Sequence, residues 1–458
     1  MDRYIGSPPR RCAPQAAASR SCVAGPRAGL IALAALTVLL TQPPARAAER
    51  AAMPADIGAL IAEALAANPQ IRAARHAQDA AERHAASAGS LEDPTLELGV
   101  VNEPLPLSLR RDDMTMKMLG LAQKLPYPGK RALRESVAAA DAASVGLAVE
   151  ETANRVVRDL RVAYEDLRLA TAAERIATQS RELLRELVAV STAQYALGRA
   201  AQSDVLRAQA EVGRMQAELL GNAAQQASRQ GDLARLLGRD EAAAPIVPAA
   251  PALLPLQGPP EALAVAAREQ RPELRALDAL VEKGEREVEL ARREYYPDFE
   301  LRFAYGQRDR TIGGTPRDDM ITLTVAVSLP IWRQSRLSPR VAEARALREQ
   351  AAALVDAQRL EGRTGLAQQL AVERSTRDSA TLYRSTLVPQ AHAAADSALH
   401  AYQLGRVDFL TVLDARLREH ATALAEAEAI ASHNKAVAEI DFLTGAAPQP
   451  VPHSGAQP

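Results

Sequence analysis

The segment Tyr295–Trp332, YYPDFELRFAYGQRDRTIGGTPRDDMITLTVAVSLPIW, contains two runs in which apolar and polar residues alternate. The apolar positions of the two runs are Phe299, Leu301, Phe303 and Tyr305, then Ile321, Leu323, Val325, Val327 and Leu329. A period of two places each set on one face of a β-strand. Between the runs, Gly313, Gly314 and Pro316 mark a turn region. The segment therefore predicts a β-hairpin with one apolar face, which either contacts lipid or covers a soluble core.

The composition of the chain favours long helices over a compact aromatic core. Of the 458 residues, 47% are hydrophobic but only 3% are aromatic, so alanine and leucine supply most of the apolar content. These residues are strong helix formers and allow close packing between helices. The formal net charge of −1 gives no indication of nucleic-acid binding.

Residues 1–47 have the features of a secretory signal peptide. A basic leader precedes the apolar stretch Ala28–Leu40, and Ala45 to Ala47 offer an A-x-A cleavage site. The apolar stretch of 13 residues is too short to span a bilayer. Both cysteines, Cys12 and Cys22, lie before it. The mature chain is therefore predicted to have no disulfide, no thiolate metal site and no cysteine that could be acylated.

After this leader, the order of predicted elements occurs twice. The first set contains a helix from Ile57 to about Ser90, a strand after Pro94, a strand from Met114 to Leu125, and long helices over 131–197 and 202–238. A proline-rich linker follows at 245–260. The pattern then begins again.

Matching residues of the two sets are separated by an almost constant interval. Pro94 lies 203 residues before Pro297, and Gly238 lies 207 residues before Gly445. The chain is therefore interpreted as a tandem duplication. The repeats cover residues 48–244 and 261–446, and residues 447–458 are predicted to be a disordered tail.

The length of the first long helix predicts a coiled coil. At about 1.5 Å per residue, a helix over 131–197 spans about 100 Å, which exceeds any globular core. Its apolar residues step by four and three, at Val156, Leu160, Ala163, Leu167 and Ala170. The counterpart in the second repeat, roughly 336–404, contains Pro389, which predicts a kink.

Four strands in one chain are too few to close a barrel, since barrels filled by side chains begin near eight strands. Open sheet edges are not tolerated in lipid, because their backbone groups lack partners. If the strands lie in a membrane, several chains must share one barrel. Three copies would supply twelve strands.

Three motifs carry a resemblance to a known family. The segments YALGRAAQSDVLRAQAEV at 195–212 and YQLGRVDFLTVLDAR at 402–416 resemble the tip motif of the TolC family of outer-membrane efflux ducts. KLPYPGKR at 124–131 resembles the strand-to-helix junction of the branch that exports heavy-metal cations, of the cobalt–zinc–cadmium and copper–silver type. The resemblance extends over essentially the whole mature chain.

This resemblance implies a mainly α-helical fold with a β-barrel part. The expected assembly is a homotrimer, with a twelve-stranded barrel in outer-membrane lipid and an α-helical coiled-coil tunnel in the periplasm. The tunnel is expected to dock on a periplasmic adaptor (membrane fusion) protein and an inner-membrane pump of the RND type. Members of the family have no active site, so no catalytic residue, cofactor or resident metal is expected.

The resemblance also indicates a gate at the periplasmic end of the tunnel. Asp204 and Asp414 match family positions where acids narrow the closed end, whereas Thr411 and Arg207 stand where some members have further acids. A ring of carboxylates favours cations over anions. The alternative is that both acids are ordinary solvated charges near helix ends.

The tip motifs supply candidate docking residues. Gly198 and Gly405 are expected to form the turns, while Arg199 and Arg406 either contact the adaptor or pair with acids of a neighbouring helix. Four apolar residues follow the turns and are either exposed docking anchors or the first core layer below them. These residues are Val205, Leu206, Val412 and Leu413.

Other functions remain open from the sequence. The same architecture serves multidrug efflux and type I secretion, so the substrate class is a hypothesis. A periplasmic adaptor would have a single helical hairpin flanked by strand-rich segments, and a soluble coiled-coil scaffold would not need the alternating strands. The sequence shows no Ser, His and Asp in the order of a nucleophilic triad, no phosphate-binding loop and no carboxylate pair. It therefore gives no indication of an enzyme.

Overall fold

Long helices and one small sheet make up the part of the chain that the computed structural model describes, residues 56–102, 112, 114–240, 244–311 and 313–446. The chain divides into two compact units, Met1–Ala52 and Met53–Pro458, and every described residue belongs to the second. The predicted signal peptide with its two cysteines and the predicted tail at 447–458 lie outside the described residues. Among the described helices, none is long and apolar enough to cross a lipid bilayer.

The first repeat begins with two helices where the sequence predicted one. Asn68 adopts an extended conformation, and its side-chain oxygen accepts hydrogen bonds from the backbone N–H groups of Gln70 and Ile71, at 2.7 and 3.3 Å. Pro69 then occupies the first helical position, where its missing N–H is not needed. The prediction of one continuous helix was wrong because an N-cap and a proline end it. The helices of this repeat are α1 (Ile57–Ala67), α2 (Pro69–Ala88), α3 (Lys130–Ala196) and α4 (Gln202–Leu237).

The second repeat has the same order of helices with one additional interruption. Regular α-helical geometry gives way to a π-helical turn at Tyr383–Leu387, which ends two residues before Pro389. Because proline cannot donate a backbone hydrogen bond, the regular hydrogen-bond ladder of the helix is interrupted here. This is the place where the sequence predicted a kink. A second π-helical turn, Arg333–Leu337, precedes the long helix. The helices are α5 (Pro260–Glu269), α6 (Pro272–Arg293), α7 (Ser338–Leu382), α8 (Val388–Gln403) and α9 (Phe409–Thr444).

Each repeat contributes one hairpin to a four-stranded sheet with the order β1-β2-β3-β4. All neighbouring strands are antiparallel. The strands are β1 (Thr95–Val101), β2 (Met116–Leu125), β3 (Asp298–Arg308) and β4 (Met320–Ser328). Thus β2 and β3 join the repeats, and β1 and β4 are the two edges.

The sheet has one apolar face that continues across all four strands. Directly opposed residues share a face, and Phe303 stands between Leu121 and Leu323 while Leu301 opposes Val325. The apolar face also includes Leu96 and Leu98 of β1, and its large side chains are exposed. The opposite face carries small and polar residues. There the Arg302 guanidinium lies 3.3 Å from the carboxylate of Glu97 and 2.8 Å from that of Glu300.

The helices pack side by side and continue the order of the strands, with α2, α3, α6 and α7 in successive contact. The five residues named above from the predicted coiled-coil stripe of α3 are all buried. These residues are Val156, Leu160, Ala163, Leu167 and Ala170. One core cluster joins this stripe to α1 and α4, and a second lies at the far ends of the long helices.

The proline-rich linker crosses the helices as an extended strap, defined here as residues 244–259. Gln230 exchanges hydrogen bonds with both the N–H and the carbonyl of Ile246, at 2.9 and 2.6 Å. The hydroxyl of Tyr164 accepts from the Ala249 N–H at 3.0 Å, and Asn434 accepts from the Leu254 N–H at 2.9 Å. Side chains from α3, α4 and α9 therefore hold the strap by its backbone.

Candidate functional site

The candidate site is the end of the helical part where α3 turns into α4 and α8 turns into α9. Gly198 and Gly405 form these turns with φ angles of 71° and 70°. No atom lies within 4 Å of a Cβ added to either glycine, so the left-handed backbone, not lack of space, favours glycine. The N–H groups of the following Arg199 and Arg406 bond back to helix carbonyls at 2.9 Å. This hydrogen bond closes the helix end.

The two turns are packed together by a shared hydrophobic core, the tip cluster. It consists of Leu184, Leu187, Ala208, Met215, Tyr402, Phe409, Val412 and Leu413. The rings of Tyr402 and Phe409 meet edge to face, with centroids 6.1 Å apart. Gln194 also donates a hydrogen bond to the Gln403 carbonyl at 3.3 Å. The tips of the two repeats therefore form one structural unit.

Equivalent residues of the two tips differ in burial. Val412 is fully buried and Leu413 is 8% exposed, whereas the equivalent Leu206 is 56% exposed and Val205 is partly buried. The sequence left open whether these residues are exposed docking anchors or a core layer below the turns. The burial of Val412 and Leu413 fits the core layer. Leu206 offers the exposed apolar side chain that a docking anchor requires.

The predicted gate residue Asp204 lies in the first turn of α4 and is partly buried. Its carboxylate accepts weak hydrogen bonds, both at 3.4 Å, from the Ala201 N–H and the Ser203 hydroxyl. Burial, and then the negative charge of Asp204, raise the pKa of Tyr402. Within the described residues, Asp204 has no ion-pair partner. The charge of Asp204 is therefore not neutralised by an ion pair within the part of the chain that the structure describes.

The other predicted gate residue, Asp414, has different surroundings. It is exposed on α9, and its carboxylate lies 2.8 Å from Nε of Arg418, which is also exposed. Such surface ion pairs contribute little to stability. Arg199 and Arg406 are exposed at the turns and form no ion pair with any residue that the structure describes. Within one chain, the structure does not join the two acids to each other or to these arginines.

Two polar networks near the tips were missed by the sequence analysis. His420 is buried, with Nδ1 at 2.9 Å from the Ser180 hydroxyl and Nε2 at 3.2 Å from the Glu218 carboxylate. The three residues have the chemistry of a nucleophilic triad, but they lie on three packed helices, α3, α9 and α4, and join them. Only tertiary packing brings them together, so no local sequence signal reveals them.

The second network surrounds His392, whose Nδ1 lies 2.6 Å from the Glu419 carboxylate. This hydrogen bond, with the charge of Asp396, raises the pKa of His392. Arg416 is buried and donates to both acids, at 2.8 and 3.0 Å. In the described parts of the chain, no group of three or more candidate metal ligands occurs. Both networks therefore link neighbouring helices.

Comparison with known proteins places the chain in a family. The model of the outer membrane efflux protein family matches residues 60–239 and 263–446, which is more than half of the chain. The chain belongs to the outer membrane efflux protein family. No curated protein sequence matches it.

Several solved structures share the fold of this efflux-family chain. The outer-membrane channel OprN matches with a TM-score of 0.72 at 20% identity, over 85% of this chain and 89% of OprN. CusC matches with a TM-score of 0.69 at 16% identity, over 85% and 91% of the two chains. VceC of Vibrio cholerae matches with a TM-score of 0.71 at 19% identity, over 85% and 96%. At these identities the likeness is one of fold.

Family membership supports the coarse functional expectations from the sequence. The chain is an efflux channel protein of the outer membrane, and a role as an enzyme does not fit this family. A periplasmic adaptor or a free coiled-coil scaffold does not fit it either.

Proposed function

We propose that three copies of this chain form the outer-membrane duct of a tripartite efflux system, through which heavy-metal cations pass from a pump and adaptor to the outside. The observation that carries the proposal is the sheet. Its exposed apolar face continues across four strands, and its two edge strands have no further partner among the described residues of the chain. Three copies would close a twelve-stranded barrel with lipid outside and the polar face around the pore.

The acids at the tips support passage of cations. In a trimer, Asp204 and Asp414 would contribute six carboxylates to one end of the tunnel. Like charges held close together repel, so closure requires compensating charges. Arg199 and Arg406 are exposed cations at the same turns and are suited to this role. A ring of carboxylates also favours cations during conduction.

The junction motif at 124–131 supports the heavy-metal assignment only through its resemblance to that branch of the family. In this chain its residues have structural roles. Lys130 is buried and donates to the Asp298 carboxylate at 2.8 Å and to the Tyr296 carbonyl at 2.9 Å. Tyr127 stacks on Tyr296 with ring centroids 4.6 Å apart. Gly129, with a φ of 92°, allows the sharp entry into α3. The motif thus fixes the strand-to-helix joint.

The exposed surface of the tips supports docking on an adaptor and, through it, on an inner-membrane pump of the RND type. Leu206 is joined there by other exposed apolar residues that flank the turns. These are Tyr195, Leu197, Leu404 and Leu410. Apolar side chains at the end of a water-exposed tunnel indicate a protein contact.

Two measurements test the proposal. The purified protein in detergent should have the mass of a trimer, and a stable monomer with full β-content would contradict the assembly. Deletion of the gene should make cells sensitive to zinc, cobalt, cadmium, copper or silver. Sensitivity to dyes, detergents or antibiotics alone would assign the duct to a multidrug system, and loss of a secreted protein alone would assign it to type I secretion.

A further inference from the structure

A cavity of about 370 Å³ lies where the sheet meets the helices, between the starts of α3 and α7, the end of α6 and the end of β4. Four cationic residues line it, Lys130, Arg134, Arg336 and Arg340, against two acids, Glu294 and Asp298. Lys130 pairs with Asp298 at 2.8 Å and Arg340 with Glu294 at 2.7 Å. Both acids are thus engaged, and the cavity has more positive than negative charge.

Two cations of this cavity, Arg134 and Arg336, form no ion pair with a described residue, and Arg336 is the exposed one of the two. Beside it, Leu329, Ile331 and Trp332 are exposed, with Trp332 at 67%. An unpaired arginine next to exposed apolar side chains is the usual composition of a protein contact. The cavity is therefore incomplete within one chain.

The edge strands show which surface of a second copy would reach this cavity. Because neighbouring strands alternate in direction, β1 and β4 run antiparallel, and β1 of one copy can extend the sheet at β4 of another. The two edges differ, so the contact is heterologous, and in the proposed trimer it closes a ring. A shift of one residue would turn apolar side chains into the pore. Odd-numbered residues of β4 must therefore oppose even-numbered residues of β1.

Among the registers that keep the apolar face continuous, one aligns the helix-side ends of the two strands. It places Thr95 of the neighbouring copy opposite Ser328, just as Asp298 opposes Ser328 within the chain. The two acids that precede β1 then lie at the cavity. Glu92 is already held by Lys124 of its own chain at 3.2 Å. Asp93 is exposed and has no ion-pair partner in the described part of the chain.

We infer that Asp93 of each copy enters the junction cavity of the next copy and pairs with Arg336, which sets the register of β1 against β4 around the ring. This inference rests on the proposed trimer and adds to it the residues that decide which strands meet and how. Leu91, which is also exposed, accompanies Asp93 and covers the apolar side chains beside the cavity.

Cysteine cross-linking in the outer membrane tests the register. Cys12 and Cys22 are replaced by serine in every variant, so that only introduced cysteines react. Thr95→Cys with Ser328→Cys should give covalent dimers and trimers on oxidation. The matched control, Thr95→Cys with Thr324→Cys, keeps the same face of the sheet but moves the second thiol by four residues, about 13 Å. It should give at least tenfold less product.

Charge exchange tests the ion pair. Asp93→Arg and Arg336→Asp should each lower the fraction of trimer that survives in SDS several-fold, and the two together should restore it. Glu92→Arg with Arg336→Asp is the control, and it should not restore the trimer because Glu92 is directed towards Lys124. The inference is overturned if Thr95→Cys cross-links to Thr324→Cys instead, or if the combined charge exchange fails to restore the trimer. Either result leaves the proposed function unaffected. A wild-type monomer overturns both the inference and the proposed function.

Discussion

The buried hydroxyl group of Tyr402 lies within the electrostatic influence of the Asp204 carboxylate, although the two residues belong to different repeats. Burial, and then the charge of Asp204, raise the pKa of this tyrosine. Within the described chain, the hydroxyl has no hydrogen-bond partner. The charge of one tip thus acts on a residue of the other. Movement that exposes Tyr402 to water would give its hydroxyl the hydrogen-bond partners that it lacks.

Tyr402→Phe should raise the free energy of unfolding by about 1 kcal/mol, because a buried polar group without a partner costs about 1–3 kcal/mol. Thermal unfolding of the detergent-solubilised protein, followed by circular dichroism, measures this. Tyr195→Phe is the matched control, since Tyr195 is the equivalent residue of the first repeat and is 48% exposed. It should change nothing. A lower stability of Tyr402→Phe would mean that the hydroxyl gains a partner in the assembled protein.

Asp204→Asn with Asp414→Asn should reduce cation selectivity and weaken block by multivalent cations in single-channel recordings, because the proposed gate would lose its carboxylates. Trimer formation should be unaffected. The control is Asp278→Asn with Asp356→Asn, which removes two exposed acids that both lie near Arg359 of α7. Equal effects of the two double variants would mean that the tip acids act only as general surface charge.

Val412→Ala and Leu206→Ala should separate core packing from docking at the tips. Truncation of the fully buried Val412 should lower the free energy of unfolding by about 2 kcal/mol through a cavity in the tip cluster. Truncation of the exposed Leu206 should change it by less than about 0.5 kcal/mol but weaken binding of the purified adaptor at least fivefold. If Leu206→Ala binds the adaptor as well as wild type, the docking surface lies elsewhere.

Glu151→Gln should stabilise the protein at pH 8 and leave it unchanged near pH 4. Burial, and then the charge of Glu273, raise the pKa of Glu151 to about 7 from 4.5. Below pH 4.5 the carboxyl is protonated in both the folded and the unfolded chain, so it contributes no difference. Above this pH the unfolded chain ionises first, and the folded state is progressively destabilised up to about pH 7.

The melting temperature against pH measures this difference for Glu151→Gln and wild type. The neighbouring Glu150 pairs with Arg275 at 3.2 Å, and Glu150→Gln should show no gain that grows with pH. A stabilisation by Glu151→Gln of the same size at pH 4 and pH 8 would exclude ionisation as its cause.

Local patterns were sufficient for much of the fold. The alternation around Phe303 predicts the strands because side-chain direction depends only on neighbours along the chain. The bounds of α3 follow from Gly129 and Gly198, which lie just outside its ends. The break at Asn68 also has a local signal, since an asparagine N-cap followed by Pro69 marks a helix start, but the prediction of one helix did not use it.

The contacts at the candidate site could not be predicted in the same way. Leu206 and Leu413 occupy the same place in the two tip motifs, yet one is exposed and the other is buried. The difference arises because α9 packs against α3 while α4 packs mainly on its own hairpin partner. The contacts of His420 likewise join helices that are far apart in the sequence. The burial of these residues and the contacts of His420 are determined by tertiary packing, which local sequence patterns do not show.

The unequal burial of the two tips has a consequence for symmetry matching. Three copies would display six tips around the tunnel mouth, but only as three alternating pairs, since the exposed Leu206 has its counterpart Leu413 buried. The mouth of such a trimer would therefore be pseudo-sixfold in backbone and threefold in surface chemistry. A partner ring with six identical subunits would have to bind it in two non-equivalent ways, whereas a threefold partner would meet a single repeating epitope.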